Sequence, residues 1–205
     1  MEIISPQQDS GQELPKLNAT GILLTGGKSS RMKKNKAFLE LHGRPLVERS
    51  LEVLHSVFAE VLISSNEPQP YAHYDVPVIQ DNILGRGPLE GLYQGLKAAT
   101  YDMVFFVACD MPFLRVELIR FLATRILEFD IVVPRLESGL QPLHAFYHRR
   151  CLPIINNNLE AGRLKIIDIY PSCSVRFVEE MELQAFQNLS NVFCNVNTPE
   201  EWANL

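Results

Sequence analysis

Gly21-Ile22-Leu23-Leu24-Thr25-Gly26-Gly27-Lys28-Ser29-Ser30-Arg31-Met32-Lys33-Lys34-Asn35-Lys36 is the stretch from which the rest of the chain can be ordered. Ile22 to Leu24 are apolar and read as a short buried strand, which breaks into a glycine pair where backbone can turn tightly and approach a ligand closely. Four cations then fall within the six residues from Arg31 to Lys36. Backbone N–H groups with no side chain over them, next to Arg31 and Lys36, suit an anion of several charges, and a nucleoside triphosphate is the leading candidate.

Two familiar phosphate motifs come close and fail. A Walker A loop needs glycine, four residues, then Gly-Lys-Ser/Thr; Gly27-Lys28-Ser29 would require glycine where Ile22 stands, and Gly21 is one residue early. The Gly-x-Gly-x-x-Gly spacing of a dinucleotide fingerprint is absent from the loop.

What the stretch does match is a strand, then x-Gly-Gly-x-Ser-x-Arg-Met, then a lysine four residues beyond Met32. This resembles the signature of nucleotidyltransferases with a nucleotide-diphospho-sugar transferase fold. The Gly26-Gly27 pair is similar to that of the molybdenum cofactor guanylyltransferases among them. Two positions depart from the family pattern: Lys33 follows the methionine where glycine is usual, and Asn35 precedes the lysine where aspartate is frequent. Lys33 either shifts the loop, if a positive φ is needed there, or adds a phosphate contact. The plainer reading of the whole stretch is a strand and a basic surface turn.

Three more motifs follow in family order. Val76-Pro-Val-Ile-Gln-Asp81 is a short extended run, and after a brief loop comes Gly87-Pro88-Leu89-Glu90-Gly91-Leu92, in which Pro88 suits a first helical turn. Met103 to Ala108 is a near-continuous apolar run of the kind found in a parallel strand buried on both faces, and it ends in Cys109-Asp110-Met111-Pro112. A carboxylate at such a strand end needs a partner: a divalent metal bridging triphosphate oxygens, or the N-cap of the next helix. Asn195-Val-Asn197-Thr-Pro-Glu-Glu lies near the end, where Asn197 or Thr198 can cap a last helix opened by Pro199.

The resemblance implies a three-layer α/β/α Rossmann-like domain with a mainly parallel sheet, and transfer of GMP from Mg-GTP to the phosphate of molybdopterin. In that reading Asp110 holds Mg2+, and Lys36 and Arg31 stabilise charge on the α-phosphate and the leaving pyrophosphate. Leu24, Thr25, Gly26 and Gly27 bring the strand end and its backbone donors to the nucleotide, while Ser64, Asp81 and Gly87 meet the base or ribose. Gln141, His144 and Arg163 are expected against the pterin or its phosphate, with Asn195 and Asn197 near the active site. For Ser64 the alternative is a capped turn, for Asp81 a turn or cap, and for His144 a buried ring satisfied by backbone. The rival activities are a cytidylyltransferase acting on the same pterin, a sugar-nucleotide pyrophosphorylase, for which the chain is short, and a non-catalytic GTP or cofactor carrier for molybdoenzyme assembly.

The remaining bounds agree. With 205 residues, 46% of them hydrophobic, the chain can bury a full core as one domain over 18–205. Residues Met1 to Leu17 are rich in Gln, Ser, Glu and Pro and read as a mobile tail. A net charge of −5 and a pI near 5.6 exclude a nucleic-acid binder with a dominant basic face. Cys109, Cys151, Cys173 and Cys194 are scattered and read as reduced thiols. No apolar run reaches the roughly 20 residues of a membrane span, and the start lacks a signal-peptide profile, so a cytoplasmic location is expected. Helical spacing groups Val47, Leu51, Leu54 and Phe58, then Leu89, Leu92, Leu96 and Ala99, then Leu118, Phe121, Leu122 and Ile126. Strands are expected at 60–65, 130–134 and 174–178, with an extended piece from Gln141 to Tyr147. His42 and His55 are expected on the surface.

Overall fold

The computed structural model describes residues 14–25, 36–186, 189–194 and 196. Its strands, in chain order, are β1 (Leu17–Leu24), β2 (Glu40–Leu41), β3 (Arg44–Pro45), β4 (Phe58–Ser64), β5 (Val78–Ile79), β6 (Met103–Ala108), β7 (Ile131–Leu136), β8 (Gly139–Leu140), β9 (His144–His148) and β10 (Val175–Glu179). The helices are α1 (Leu46–Val57), α2 (Gly87–Ala98), α3 (Val116–Ala123), α4 (Leu152–Glu160) and the short α5 (Glu180–Leu183) and α6 (Leu189–Val192). The main sheet has the order β10-β7-β9-β6-β1-β4-β5, with β8 paired to β7. Every pair on the β6-β1-β4-β5 side is parallel, as is β7 with β10, while β9 runs antiparallel to both β6 and β7.

The apolar run that opened the reading has partners on both faces. Side chains alternate across a strand, so Leu23 joins the core formed with α1 and α3, whereas Ile22 and Leu24 join the core formed with α2 and α4. Phe105 and Val107 of β6 divide from Val104 and Phe106 in the same way. Three layers follow from that alternation. Gly95 lets α2 lie close on β6, since a Cβ there would sit 2.5 Å from Phe106 Cε1.

Local boundaries differ from the sequence expectation at α3, which stops at Ala123 short of Ile126, and in three further places. Helix α1 ends at Val57, and Phe58, expected on its apolar face, is extended (φ −106°, ψ 145°) and opens β4. Its ring stacks on Phe105 with centroids 5.6 Å apart. The strand follows the helix without a loop, so an apolar residue at the junction is buried in either geometry and periodicity cannot mark the change. Pro45 precedes α1 rather than filling its first position, because it belongs to a hairpin turned by His42 (φ 52°) and Gly43 (φ 74°). Both positive φ values fit a two-residue turn of the type that matches strand twist. Lastly, β1 begins at Leu17, and the carbonyls of Leu14 and Pro15 accept from the Arg120 guanidinium of α3 at 3.3 and 3.0 Å. The last residues of the expected tail are therefore tied to the domain. His42 and His55 are exposed, as expected, and Gly162 ends α4 at φ 70° in the left-handed region that favours glycine. No helix among the described residues is long and apolar enough to cross a membrane.

Candidate functional site

The strand order reverses at β1: the chain leaves it for β4 and β5 on one side, then returns to place β6 on the other. In open α/β sheets the crevice at such a switch point, outside the carboxyl ends of the strands, is where ligands bind. Backbone bonds carry the ladder past the strand ends and hold the crevice edges in register. Thr25 N–H donates to the Ser64 carbonyl at 3.0 Å, and its Oγ1 donates to the same oxygen at 3.0 Å. Cys109 N–H donates to the Leu24 carbonyl at 3.0 Å and Ser65 N–H to the Ile79 carbonyl at 2.9 Å.

On one side of the crevice, Leu24, Ser64 and Asp81 converge on the start of α2. A Cβ placed on Gly91 would lie 3.1 Å from Leu24 Cδ2, 3.4 Å from Ser64 Oγ and 3.9 Å from Asp81 Oδ1. Asp81 is locked by Asn66, whose Nδ2 donates to Asp81 Oδ2 at 2.8 Å and whose Oδ1 accepts from Asp81 N–H at 2.9 Å. Burial raises the Asp81 carboxyl above its usual range against that hydrogen bond, and the charge of Glu90 adds to the rise. Glu90 is a buried carboxylate on α2, held by Gln94 Nε2 at 2.7 Å and by Arg86 at 3.8 Å. Gly87 opens α2 at φ 66° with open space around its Cα.

Asp110 stands just past the end of β6, and Lys36, at the start of a single 3-10 turn, reaches its Oδ2 with Nζ at 3.3 Å. Both side chains keep some solvent access, 16% for the lysine and 21% for the aspartate. The adjacent Cys109 thiol is pushed up to about 12 by burial and then by the Asp110 charge, so it stays protonated and is no nucleophile at neutral pH. The C-terminal segment closes on the same point, with Val196 N–H donating to the Asp110 carbonyl at 3.0 Å.

Leu24, Thr25, Lys36, Ser64, Asp81, Gly87 and Asp110 thus lie along one crevice. Gly26, Gly27, Arg31, Asn195 and Asn197 fall outside the described residues, as do Lys33, Asn35 and Thr198. No hydrogen bond joins the side chains of Gln141, His144 and Arg163, the described residues expected on the acceptor side. His144 opens β9 beside Val107 but is wholly buried, its ring set edge-on to Phe105 and Phe193 at centroid distances of 5.1 Å, and neither ring nitrogen has a hydrogen-bond partner. Burial pulls its pKa down to about 3, so the ring is neutral core rather than a surface contact. Backbone does not satisfy it, in contrast to the alternative reading. Arg163 is exposed beyond α4, and Gln141 is half-buried, its carbonyl accepting from His144 N–H at 3.1 Å.

Asn66 lies in the 64–66 strand end expected to read base or ribose, but its lock on Asp81 is not legible in the sequence, and Glu90 has no role there. The signal for Asn66 was the polar step Ser64-Ser65-Asn66 after an apolar run; for Glu90 it was a lone carboxylate inside Gly-Pro-Leu-Glu-Gly, one residue before a glycine. Among the described residues no group of three or more His, Cys, Asp or Glu side chains could hold a metal by itself.

Comparison with known proteins supplies the family. Residues 21–172 match the model of the MobA-like NTP transferase domain. The probable molybdenum cofactor guanylyltransferase of Pelotomaculum thermopropionicum is 40% identical over 185 residues, 90% of each chain. The molybdenum cofactor guanylyltransferase of Desulfosudis oleivorans is 38% identical over 184 residues, covering 89% of this chain and 91% of the relative. Among solved structures, the molybdopterin-guanine dinucleotide biosynthesis protein A of Archaeoglobus fulgidus superposes with a TM-score of 0.79 at 22% identity, over 90% of this chain and 95% of that one, a likeness of fold.

Proposed function

The chain belongs to the MobA-like NTP transferase family, and we propose that it transfers GMP from GTP to the phosphate of molybdopterin, forming the guanine dinucleotide cofactor and releasing pyrophosphate. The observation that carries this reading is the meeting of the Lys36–Asp110 pair with Leu24, Ser64 and Asp81 in one switch-point crevice.

An oxygen of the acceptor phosphate attacks the α-phosphorus of GTP. The new phosphoanhydride bond forms as the bond from that phosphorus to the bridging oxygen breaks, and pyrophosphate leaves with the electron pair. The acceptor already carries negative charge, so the protein needs no nucleophile of its own. Its work is positioning and charge neutralisation. Lys36 supplies a cation at the strand end, and Arg31, Gly26 and Gly27 belong to the loop assigned to the phosphates. Asp81 Oδ1, left over when Asn66 takes Oδ2, is the acceptor for the N–H donors of guanine, with Ser64 and Gly87 bordering base or ribose.

The residues at Asp110 fit a Mg2+ ion. Oδ1 makes no hydrogen bond among the described residues, the carboxylate is partly exposed, and a hard cation held chiefly by phosphate and water needs only one or two carboxylates. Such an ion neutralises charge building up on the phosphates. Gln141, Arg163, Asn195 and Asn197 remain assigned to the acceptor side.

The test is pyrophosphate release with Mg2+ and molybdopterin, comparing GTP, CTP and ATP, with Asp110→Ala as control. Release with GTP alone, lost in the variant, is the expected result. Preference for CTP would reassign the chain to cytidylyl transfer, and GTP binding without release would make it a carrier.

A further inference from the structure

Beside Asp110, in the layer opposite α2, a cleft of about 440 Å³ opens between the start of α1 and the loop that follows β6. It is lined by Arg44, Arg49, Ser50, Pro112, Arg115 and Asn191, among others. Three arginines against the single carboxylate of Glu52 make it a positive spot on a chain whose net charge is −5. Glu52 is taken by Arg44 at 3.0 Å, with both side chains well exposed. Arg49 and Arg115, both half-buried, have no carboxylate partner among the described residues. The planar fork of arginine matches the oxygens of a phosphate.

The cleft also sits where the reaction has a use for it. Pro112 is two residues beyond Asp110, and Asn191 and Val192 belong to the same C-terminal segment whose Val196 is bonded to the Asp110 carbonyl. The Asn66–Asp81 pair and Gly91 lie on the α2 side of the crevice. The cleft therefore opens on the other flank of Asp110, clear of the residues assigned to the base.

We propose that this arginine cleft is the subsite that holds the phosphate of the acceptor, with Arg49 and Arg115 as its donors. The proposal rests on the transfer reading above. The same phosphate chemistry could come from the leaving pyrophosphate, and the experiment separates the two sources.

The full-length chain, saturated with Mg2+ and a non-hydrolysable GTP analogue so that the nucleotide site is filled, is titrated with inorganic phosphate by calorimetry. Arg49→Gln and Arg115→Gln should each weaken phosphate binding about tenfold or more, the weight of one lost charge-assisted hydrogen bond. Arg49→Lys should recover part of it, and Lys97→Gln on the exposed end of α2 should change nothing. In turnover, the two glutamine variants should raise the KM for molybdopterin by a similar factor and leave the KM for GTP unchanged. Unaltered phosphate binding in both folded variants would overturn the proposal. So would a parallel loss of GTP affinity, or relief of pyrophosphate product inhibition with the acceptor KM intact, which would give the cleft to the leaving group. Because the titration needs no turnover, a wild type that binds phosphate through these arginines yet transfers no GMP would sink the transfer reading and leave the anion site standing.

Discussion

The two flanks of β1 are built from the same kind of apolar strand, yet they treat polar residues in opposite ways. On the β4 and β5 side all strands are parallel, and each strand end is bonded to its neighbour through Thr25, Ser64, Ser65 and Ile79. The polar side chains that follow are carried out of the ladder together, at one edge. On the far side β9 runs against β6 and β7, so its crevice end is its beginning, and the histidine there turns into the core between Phe105 and Phe193. A parallel edge gathers functional residues that are distant in sequence; an antiparallel insertion breaks that rule and buries one of them. The difference teaches that a polar residue near a strand end is informative only once the direction of the strand is known.

The contrast can be broken at Asp110 first. Asp110→Ala should lower GMP transfer by about 10²- to 10³-fold, the usual scale for removing one preorganised charge contact, with the far-UV spectrum unchanged. Near-normal turnover would move the metal and the chemistry elsewhere. Next in size is Gly91→Val, which pushes a side chain toward Leu24 and Ser64 from contacts already at 3.1 and 3.4 Å. An overpacking cost of about 1–3 kcal/mol should appear as a KM for GTP raised by about tenfold or more, and an unchanged KM would show that the nucleotide does not use this edge.

His144 tests the other flank. Its depressed pKa means that the unfolded chain takes up a proton that the native state refuses, so this contribution to stability is complete above the ordinary histidine range and is lost as pH falls from about 6.5 toward about 3. His144→Leu should remove a slope of about 1.4 kcal/mol per pH unit across that window and cost little at pH 7, because both orphan nitrogens go with the ring. Denaturant melts at pH 7, 6 and 5 decide it: parallel losses in both proteins would mean the ring finds a partner. GTP affinity should not move, which separates this flank from the first. Smallest is Asp81→Asn, expected to cut discrimination between GTP and ATP by about tenfold, one charge-assisted hydrogen bond, as read from paired kcat/KM values.

Much of this was legible before any coordinates. The β1 run, the Cys-Asp-x-Pro strand end and the Gly-Pro-Leu-Glu-Gly helix start each pair a local geometry with a chemistry, and all three lie inside the matched domain. Where single-residue inference carried the weight, it fared less well. Phe58 changes element without a loop to announce it, and His144 has a ligand-type side chain whose burial depends on strand direction.

Periodicity and spacing by themselves determined most of the alternation of strands and helices and the positions of the strand-end motifs, because those depend on residues near one another in the chain. Only the tertiary structure decided that Asn66 locks Asp81, that Lys36 reaches Asp110 across 74 positions, and that Cys151 and Cys173, scattered in sequence, lie with their sulfurs 3.9 Å apart. It also decided that the arginines of α1 and of the loop after β6 face one cleft. Such pairings follow from the order in which strands are laid into the sheet, and strand order is a property of the whole packed core, which no local window of sequence contains.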